Sequence, residues 1–112
     1  MSNVLKQLDV VLEARKLESA DSSYVASLYS KGTEKILKKI GEEANETIMA
    51  AKDLEHVNNL ENKEHLVYEI ADLWFHTMVL LASQNLSSED ITNELQRRFG
   101  LSGHDEKASR DQ

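Results

Sequence analysis

The absence of proline from all 112 residues is the feature that most limits what this chain can fold into. Proline ends or kinks a helix more strongly than any other residue, and glycine is the next poorest helix former. The chain has four glycines, and most of them stand where a helix could begin or end; they are Gly32, Gly41, Gly100 and Gly103. The sequence therefore predicts an all-α protein.

Apolar residues recur at helical spacing along most of the chain. Helices are expected over about 3–18, 24–30, 34–55 and 63–83, with a last one that opens in the SSED segment at 87–90 and stops near Gly100. The 63–83 segment is apolar on nearly every side, which predicts a buried helix with Trp74 and Phe75 in the core. The polar segment 56–62 predicts a turn, so the two long helices should form an antiparallel hairpin at the centre of a helical bundle.

Composition excludes several classes of protein. A net charge of −7 without a large basic patch argues against a nucleic acid partner. The lack of cysteine excludes disulfides and thiolate metal sites. No apolar run reaches the roughly eighteen residues of a membrane span, and the N-terminus does not resemble a signal peptide, so a cytoplasmic protein is expected. Residues 1–100 should form one domain, and residues 101–112 lack an apolar period and should form a tail.

Two pairs of acids share one spacing. Glu43 and Glu46 are three residues apart on one expected helix, and Glu69 and Asp72 repeat the spacing on the next. Side chains three residues apart are neighbours on a helix surface, about 4.5 Å apart along the axis. The midpoint of the four positions falls at residues 57 and 58, in the centre of the expected turn. If the helices fold back there, the four carboxylates meet at one level.

Converging carboxylates are costly in a partly buried space unless a cation neutralises them. Oxygen ligands of this kind select Mg²⁺, with Mn²⁺ as a plausible substitute. Glu43 flanks the apolar stripe of its helix, and Asp72 lies in the most apolar part of the other. The alternative interpretation is that these acids, with Glu42, form a solvated helix face.

The acids belong to a longer pattern, an EExxE motif at 42–46 followed after 22 residues by ExxD at 69–72. Three longer segments make the pattern more specific: YVASLYSKGTEKILKKIGEEANETIMAAKD, EIADLWFHTMVLLASQNLSSEDITNELQRRFG and SGHDEKASR. Over residues 5–110 the chain resembles the phosphoribosyl-ATP pyrophosphohydrolases, which act in histidine biosynthesis and belong to the all-α MazG-like nucleotide pyrophosphohydrolases.

The resemblance implies a metal-dependent enzyme that converts phosphoribosyl-ATP and water to phosphoribosyl-AMP and pyrophosphate. It also implies a homodimer of interlocked helical bundles, which agrees with the expectation that one short chain cannot cover the 63–83 helix on every side. By position, the Mg²⁺ ligands would be Glu43, Glu46, Glu69 and Asp72. Glu42 would orient a ligand, a basic residue or a water, and we favour Glu46 over Glu42 as the base that accepts the proton of the attacking water.

Candidate substrate contacts are less specific. Lys31, Lys35 and Lys39 recur every four residues towards the acids and could bind phosphate, although lysines at this spacing also simply solvate a helix. Lys107 and Arg110 lie in the tail, which could order over substrate or stay without order. His76, one turn after Asp72, could donate a hydrogen bond to a ligand carboxylate or to substrate, or be an ordinary core histidine.

Two other functions remain open at this stage. The first is a house-cleaning pyrophosphohydrolase acting on dUTP, dCTP or damaged nucleoside triphosphates, which would share the acids but not the SGHDEKASR tail. The second is a helical interaction module without enzymatic activity, whose acids are only solvated. A panel of nucleotide substrates separates the first from the resemblance, and an effect of Mg²⁺ on the melting temperature separates the second.

Overall fold

A computed structural model describes residues 3–99 and residue 110, and the described residues confirm the all-α prediction. The helices are α1 (Val4–Ala14), α2 (Tyr24–Lys31), α3 (Thr33–His56), α4 (Leu60–Ser83) and α5 (Ser88–Arg98), with a 3₁₀ turn at Arg15–Leu17 after α1. The predicted tail lies outside the described residues except for Arg110, which is exposed.

Local signals fix the helix ends. The Ser23 side chain accepts a hydrogen bond from the backbone of Ala26 and caps α2. Asn59 caps α4 in the same way, with 2.7 Å between its Oδ1 and the Asn62 backbone nitrogen. The interruption expected over residues 31–33 is shorter than predicted, because Gly32 alone separates α2 from α3. Its φ of 93° lies in the region that favours glycine.

The central feature is the antiparallel hairpin of α3 and α4, each 24 residues long. The short helices α1 and α2 pack at the end of the hairpin away from its turn. The largest fully buried side chains come from all four of these helices: Leu12, Leu28, Ile36 and Val79. This core holds α3 against α4 far from the turn. Because the two antiparallel helices are equally long, the acids near the middle of α3 lie level with the acids near the middle of α4.

Helix α4 is less buried than the sequence predicted. Phe75 packs against the core as expected, but Trp74 is 58% exposed, and Val67 and Tyr68 are also exposed. The prediction that Trp74 is a core residue was therefore wrong, because the helices of the described residues leave this side of α4 uncovered. By length and composition alone α4 could also cross a membrane, contrary to the sequence prediction, but one such helix is weak support for a span.

Candidate metal centre

Four carboxylates converge between α3 and α4, as the spacing predicted. Each side chain of this set offers one oxygen, and these oxygens lie within 4.8 Å of one another: Glu43, Glu46, Glu69 and Asp72. Glu43 and Glu69 are buried, Asp72 is half-buried and Glu46 is exposed. The cluster is thus closed on the side of the hairpin and open on the side of Glu46. We refer to these four side chains as the carboxylate cluster.

The two buried acids each have an oxygen without a partner. Glu43 Oε2 and Glu69 Oε2 are inaccessible to solvent and accept no hydrogen bond from the protein. A buried carboxylate oxygen normally has a partner, because burying it unpaired costs several kcal/mol on the scale of roughly 2–7 kcal/mol for polar groups. Oxygen donors of this kind at this separation are what Mg²⁺ and Mn²⁺ bind. The residues present therefore fit a divalent cation.

Thr47 joins the two helices at the level of the cluster. Its hydroxyl lies 2.9 Å from the backbone carbonyl oxygen of Glu43 and 3.3 Å from that of Glu69. Because the hydroxyl proton is shared between the two carbonyls, Thr47 links the backbone of Glu43 on α3 to the backbone of Glu69 on α4. This contact, together with the hairpin register, sets the separation between the two pairs.

The electrostatics of the cluster favour a bound cation. Burial, together with the negative charges of Asp72 and Glu46, raises the pKa of Glu43 to about 7. Burial also raises the pKa of Glu69; Glu46 adds to this effect and His65 opposes it. His65 Nε2 lies 3.8 Å from Glu69 Oε1. Without a cation the cluster holds a proton near neutral pH, and a divalent ion would displace it.

Glu42 lies beside the cluster and has a different role from its neighbours. Its carboxylate pairs with Lys39 Nζ at 3.1 Å, and this hydrogen bond lowers the pKa of Glu42. Lys39 also lies 3.5 Å from Glu43 Oε1. Glu42 therefore pairs with a basic residue, and its predicted role in orienting a ligand, a basic residue or a water stays a prediction. Its use as a catalytic base stays a prediction.

The other predicted lysines stand at greater distance. Lys35 acts on Glu42 through its charge, and Lys39 contacts the acids directly. The expectation that Lys31, Lys35 and Lys39 follow one helix edge was wrong for Lys31, which ends α2 before the break at Gly32. Phosphate binding by these three lysines stays a prediction. Lys107 lies outside the described residues, and the substrate contact expected for Arg110 stays a prediction as well.

His76 is buried and has a partner for each ring nitrogen. Its Nδ1 lies 2.8 Å from the backbone carbonyl oxygen of Asp72, and its Nε2 lies 2.9 Å from the hydroxyl of Tyr24. His76 was predicted to bond to a ligand carboxylate or to substrate, or to be an ordinary core histidine, and its contact with Asp72 is to the backbone and not to the carboxylate. Tyr24 was missed altogether. Because 52 residues separate Tyr24 from His76, no helical spacing could have indicated the contact.

The fold and the cluster together define a class, the all-α proteins whose helix hairpin carries a four-carboxylate site suited to a divalent cation. Comparison with known proteins identifies the family within that class. The sequence model of the family described as phosphoribosyl-ATP pyrophosphohydrolase matches residues 5–99. The chain belongs to this family, which confirms the resemblance on which the sequence analysis relied.

Several curated relatives are similar over nearly their whole length. A phosphoribosyl-ATP pyrophosphatase of Hydrogenovibrio crunogenus is 68% identical over 98% of this chain and 96% of its own length. Proteins of the same name from Methylococcus capsulatus and Vesicomyosocius okutanii are 57% and 56% identical, with 96% and 98% of each relative covered. The matched range therefore includes both long helices and the positions of all four acids.

Proposed function

We propose that this chain hydrolyses phosphoribosyl-ATP to phosphoribosyl-AMP and pyrophosphate in histidine biosynthesis, as a cytoplasmic enzyme that depends on Mg²⁺. The observation that carries the proposal is the pair of buried oxygens without partners, on Glu43 and Glu69, inside a cluster of four converging carboxylates. Membership of the family supplies the substrate. The geometry supports the chemistry that such a substrate needs.

Mg²⁺ would be held by the carboxylate cluster, with Mn²⁺ as a substitute, and when bound it supplies positive charge that neutralises the phosphate oxygens. Glu43 and Glu69, which are buried, provide a fixed wall for this site. Glu46 and Asp72 complete it on the accessible side, where a triphosphate can approach. The cluster thus positions the anhydride rather than reacting with it.

Hydrolysis of the anhydride also needs a base. A water oxygen forms a bond to phosphorus, the bond from that phosphorus to the bridging oxygen breaks, and pyrophosphate leaves with the electron pair. We assign Glu46 as the group that accepts the proton of this water, since it is the exposed member of the cluster. Glu42 is less suited, because its carboxylate is engaged by Lys39 at 3.1 Å.

Basic side chains near the cluster would bind the phosphate charge that Mg²⁺ does not neutralise. Lys39 lies within 3.5 Å of Glu43 and can turn towards a phosphate that displaces this pairing. Lys35 and Lys31 precede it in sequence and would contact more distant phosphate oxygens. Lys107 and Arg110 of the tail would complete the set. His76, with both nitrogens occupied, would act through Asp72 and Tyr24 rather than on substrate.

We also propose that the enzyme is a homodimer. An apolar groove of about 460 Å³ lies between α1, α4 and α5, and Trp74, Ile91 and Leu95 on its walls are each about half exposed. Exposed apolar surface of this extent is typical of a protein interface. A second copy of the chain would cover the side of α4 that one copy leaves open.

The test is direct. Purified protein is incubated with phosphoribosyl-ATP and Mg²⁺, with and without a chelator, while pyrophosphate release is followed. Release that stops with chelator and is lost in Glu43→Gln, but not in the surface variant Glu55→Gln, is the expected result. No release in any condition removes the proposal. Faster hydrolysis of dUTP, dCTP or a damaged triphosphate would replace it with a house-cleaning role.

A further inference from the structure

The contact between Tyr24 and His76 assigns a direction to the hydrogen bonds beside the cluster. His76 Nδ1 faces the backbone carbonyl oxygen of Asp72 at 2.8 Å, and a carbonyl oxygen can only accept. The proton of the neutral ring therefore lies on Nδ1, which leaves Nε2 as an acceptor. The Tyr24 hydroxyl, 2.9 Å from Nε2, must then donate its own proton to His76.

With its proton committed to His76, the Tyr24 oxygen is left as an acceptor. Its surroundings carry the charges of the site: burial raises the pKa of Tyr24, Lys39 lowers it, and Glu43, Asp72 and Glu42 raise it. The ring is held edge-on to His76, with centroids 5.9 Å apart and planes at 83°. The Tyr24 hydroxyl is therefore held by His76 at a place where the charges of Glu43, Asp72 and Glu42 act on it.

Among the described residues, the Tyr24 hydroxyl has no hydrogen-bond partner other than His76. The neighbouring carboxylates are acceptors when ionised, and the Lys39 ammonium is shared between Glu42 and Glu43. A divalent cation held by one oxygen from each of the four carboxylates would still carry water, because Mg²⁺ prefers six oxygen ligands and releases its waters reluctantly. Water polarised by such an ion is a strong hydrogen-bond donor.

We propose that Tyr24 is a positioning residue of the metal centre, whose oxygen accepts a hydrogen bond from a water of the cation's hydration shell. The inference rests on the proposed metal-dependent function and adds α2 to a site otherwise built from α3 and α4. His76 fixes the direction of the Tyr24 hydroxyl, and the carbonyl of Asp72 fixes the tautomer of His76. One turn of α4 thus carries both a predicted ligand carboxylate, Asp72, and the histidine that orients Tyr24.

The experiment compares two tyrosines of the same helix. Tyr24→Phe removes the acceptor oxygen and keeps the ring. Tyr29→Phe is the matched control, because the Tyr29 hydroxyl donates to the Leu12 carbonyl at 2.9 Å, away from the cluster. Mn²⁺ affinity is measured without substrate, by electron paramagnetic resonance of the free ion. Groups that orient metal ligands are worth about 10–100-fold in affinity or activity, and we expect a loss of about tenfold for Tyr24→Phe and none for Tyr29→Phe.

Steady-state kinetics provide a second readout. Tyr24→Phe should lower kcat for phosphoribosyl-ATP while its KM changes less than about twofold, because the lost contact is to water and not to substrate. In the unmodified protein, the ¹³Cζ signal of Tyr24 should shift when Mg²⁺ is added, and that of Tyr29 should not. This measurement needs no variant and stays decisive if Tyr24→Phe does not fold.

The outcomes separate this inference from the proposed function. If both variants bind Mn²⁺ as tightly as the unmodified protein, or lose affinity equally, and the Tyr24 signal ignores Mg²⁺, the positioning role is wrong while hydrolysis is unaffected. If Mn²⁺ binding depends on Tyr24 but phosphoribosyl-ATP is not hydrolysed, the proposed function is wrong and the role of Tyr24 stands. A protein that binds no divalent cation overturns both.

Discussion

The Thr47 hydroxyl on α3 lies 3.3 Å from the backbone carbonyl oxygen of Glu69 on α4, and it also reaches the carbonyl of Glu43 at 2.9 Å. This contact crosses the hairpin at the level of the carboxylate cluster. The two buried acids of the cluster are therefore joined through a neutral side chain as well as through any shared cation. Their separation is set before a metal binds.

Removing this contact should loosen the cluster without changing its charge. Thr47→Val keeps the shape of the side chain and removes the hydroxyl, and we expect the free energy of unfolding to fall by about 1 kcal/mol. Mn²⁺ affinity should fall with it. Urea unfolding and Mn²⁺ titration measure both, and Thr47→Ser, which keeps the hydroxyl, is the control. Equal behaviour of the valine and serine variants would show that the contact has no role.

Neutralising one buried acid should have opposite effects on stability and activity. Glu43→Gln removes a charge from a crowded site, so the metal-free protein should melt at a higher temperature. The same change should abolish the stabilisation by Mg²⁺ and reduce hydrolysis by roughly a hundredfold or more. Glu55→Gln, an exposed acid of the same helix, should do neither. A lower melting temperature for metal-free Glu43→Gln would contradict the repulsion on which this prediction depends.

The raised pKa of Glu43 predicts a pH dependence of stability in chelator. The ordinary value is 4.5 and the folded value is about 7, so the folded protein binds the extra proton between these limits. The contribution of Glu43 to the free energy of unfolding is therefore fully present below pH 4.5 and is lost as the pH rises towards 7. After allowance for screening by solvent on the open side of the cluster, the loss should be about 1–2 kcal/mol.

Urea unfolding at pH 5 and pH 8 measures this dependence. Glu43→Gln, which cannot titrate, should lose less stability over the same interval, and the difference between the two proteins isolates Glu43 from the other acids. Saturating Mg²⁺ should remove or reverse the slope, because the cation competes with the proton. Parallel pH profiles for both proteins in chelator would refute the assignment of the proton to Glu43.

The proposed dimer depends on the apolar groove around Trp74. Placing a charge there by Trp74→Glu should convert a dimer to a monomer, because an unpaired charge at an interface is costly to bury. Sedimentation velocity at micromolar concentration measures the change. Val10→Glu is the control, since Val10 is exposed on α1 but does not line the groove. Unmodified protein that sediments only as a monomer would contradict the proposal.

The carboxylate cluster could be predicted from the sequence because its geometry depends only on helical spacing and on the position of one turn. Glu43 and Asp72 lie at equal distances from residues 57 and 58, and a hairpin with that turn brings them to one level whatever the rest of the fold does. The two long helices followed from the same periodicity, although α4 begins at Leu60, inside the segment 56–62 that was predicted to turn. These features are local or depend on a single reversal of the chain.

The features that could not be predicted depend on packing between distant segments. The contact of Tyr24 with His76 requires α2 to dock beside α4, and no local pattern in either helix encodes that docking. Trp74 was expected in the core because its neighbours are apolar, but periodicity does not say whether the same chain or another one covers a face. Lys31 was predicted to lie in a break over residues 31–33, but it is the last residue of α2, because Gly32 alone separates α2 from α3.

The central claim is that the carboxylate cluster is a binding site for a divalent cation. Calorimetric titration of the substrate-free protein with Mn²⁺ at pH 8 tests it most directly, with Glu43→Gln combined with Asp72→Asn as the disabled site and Glu55→Gln as the control. Saturable binding is expected in the unmodified protein and in the control, and none at the cluster in the double variant. Binding that is absent from the unmodified protein, or unchanged in the double variant, would contradict it.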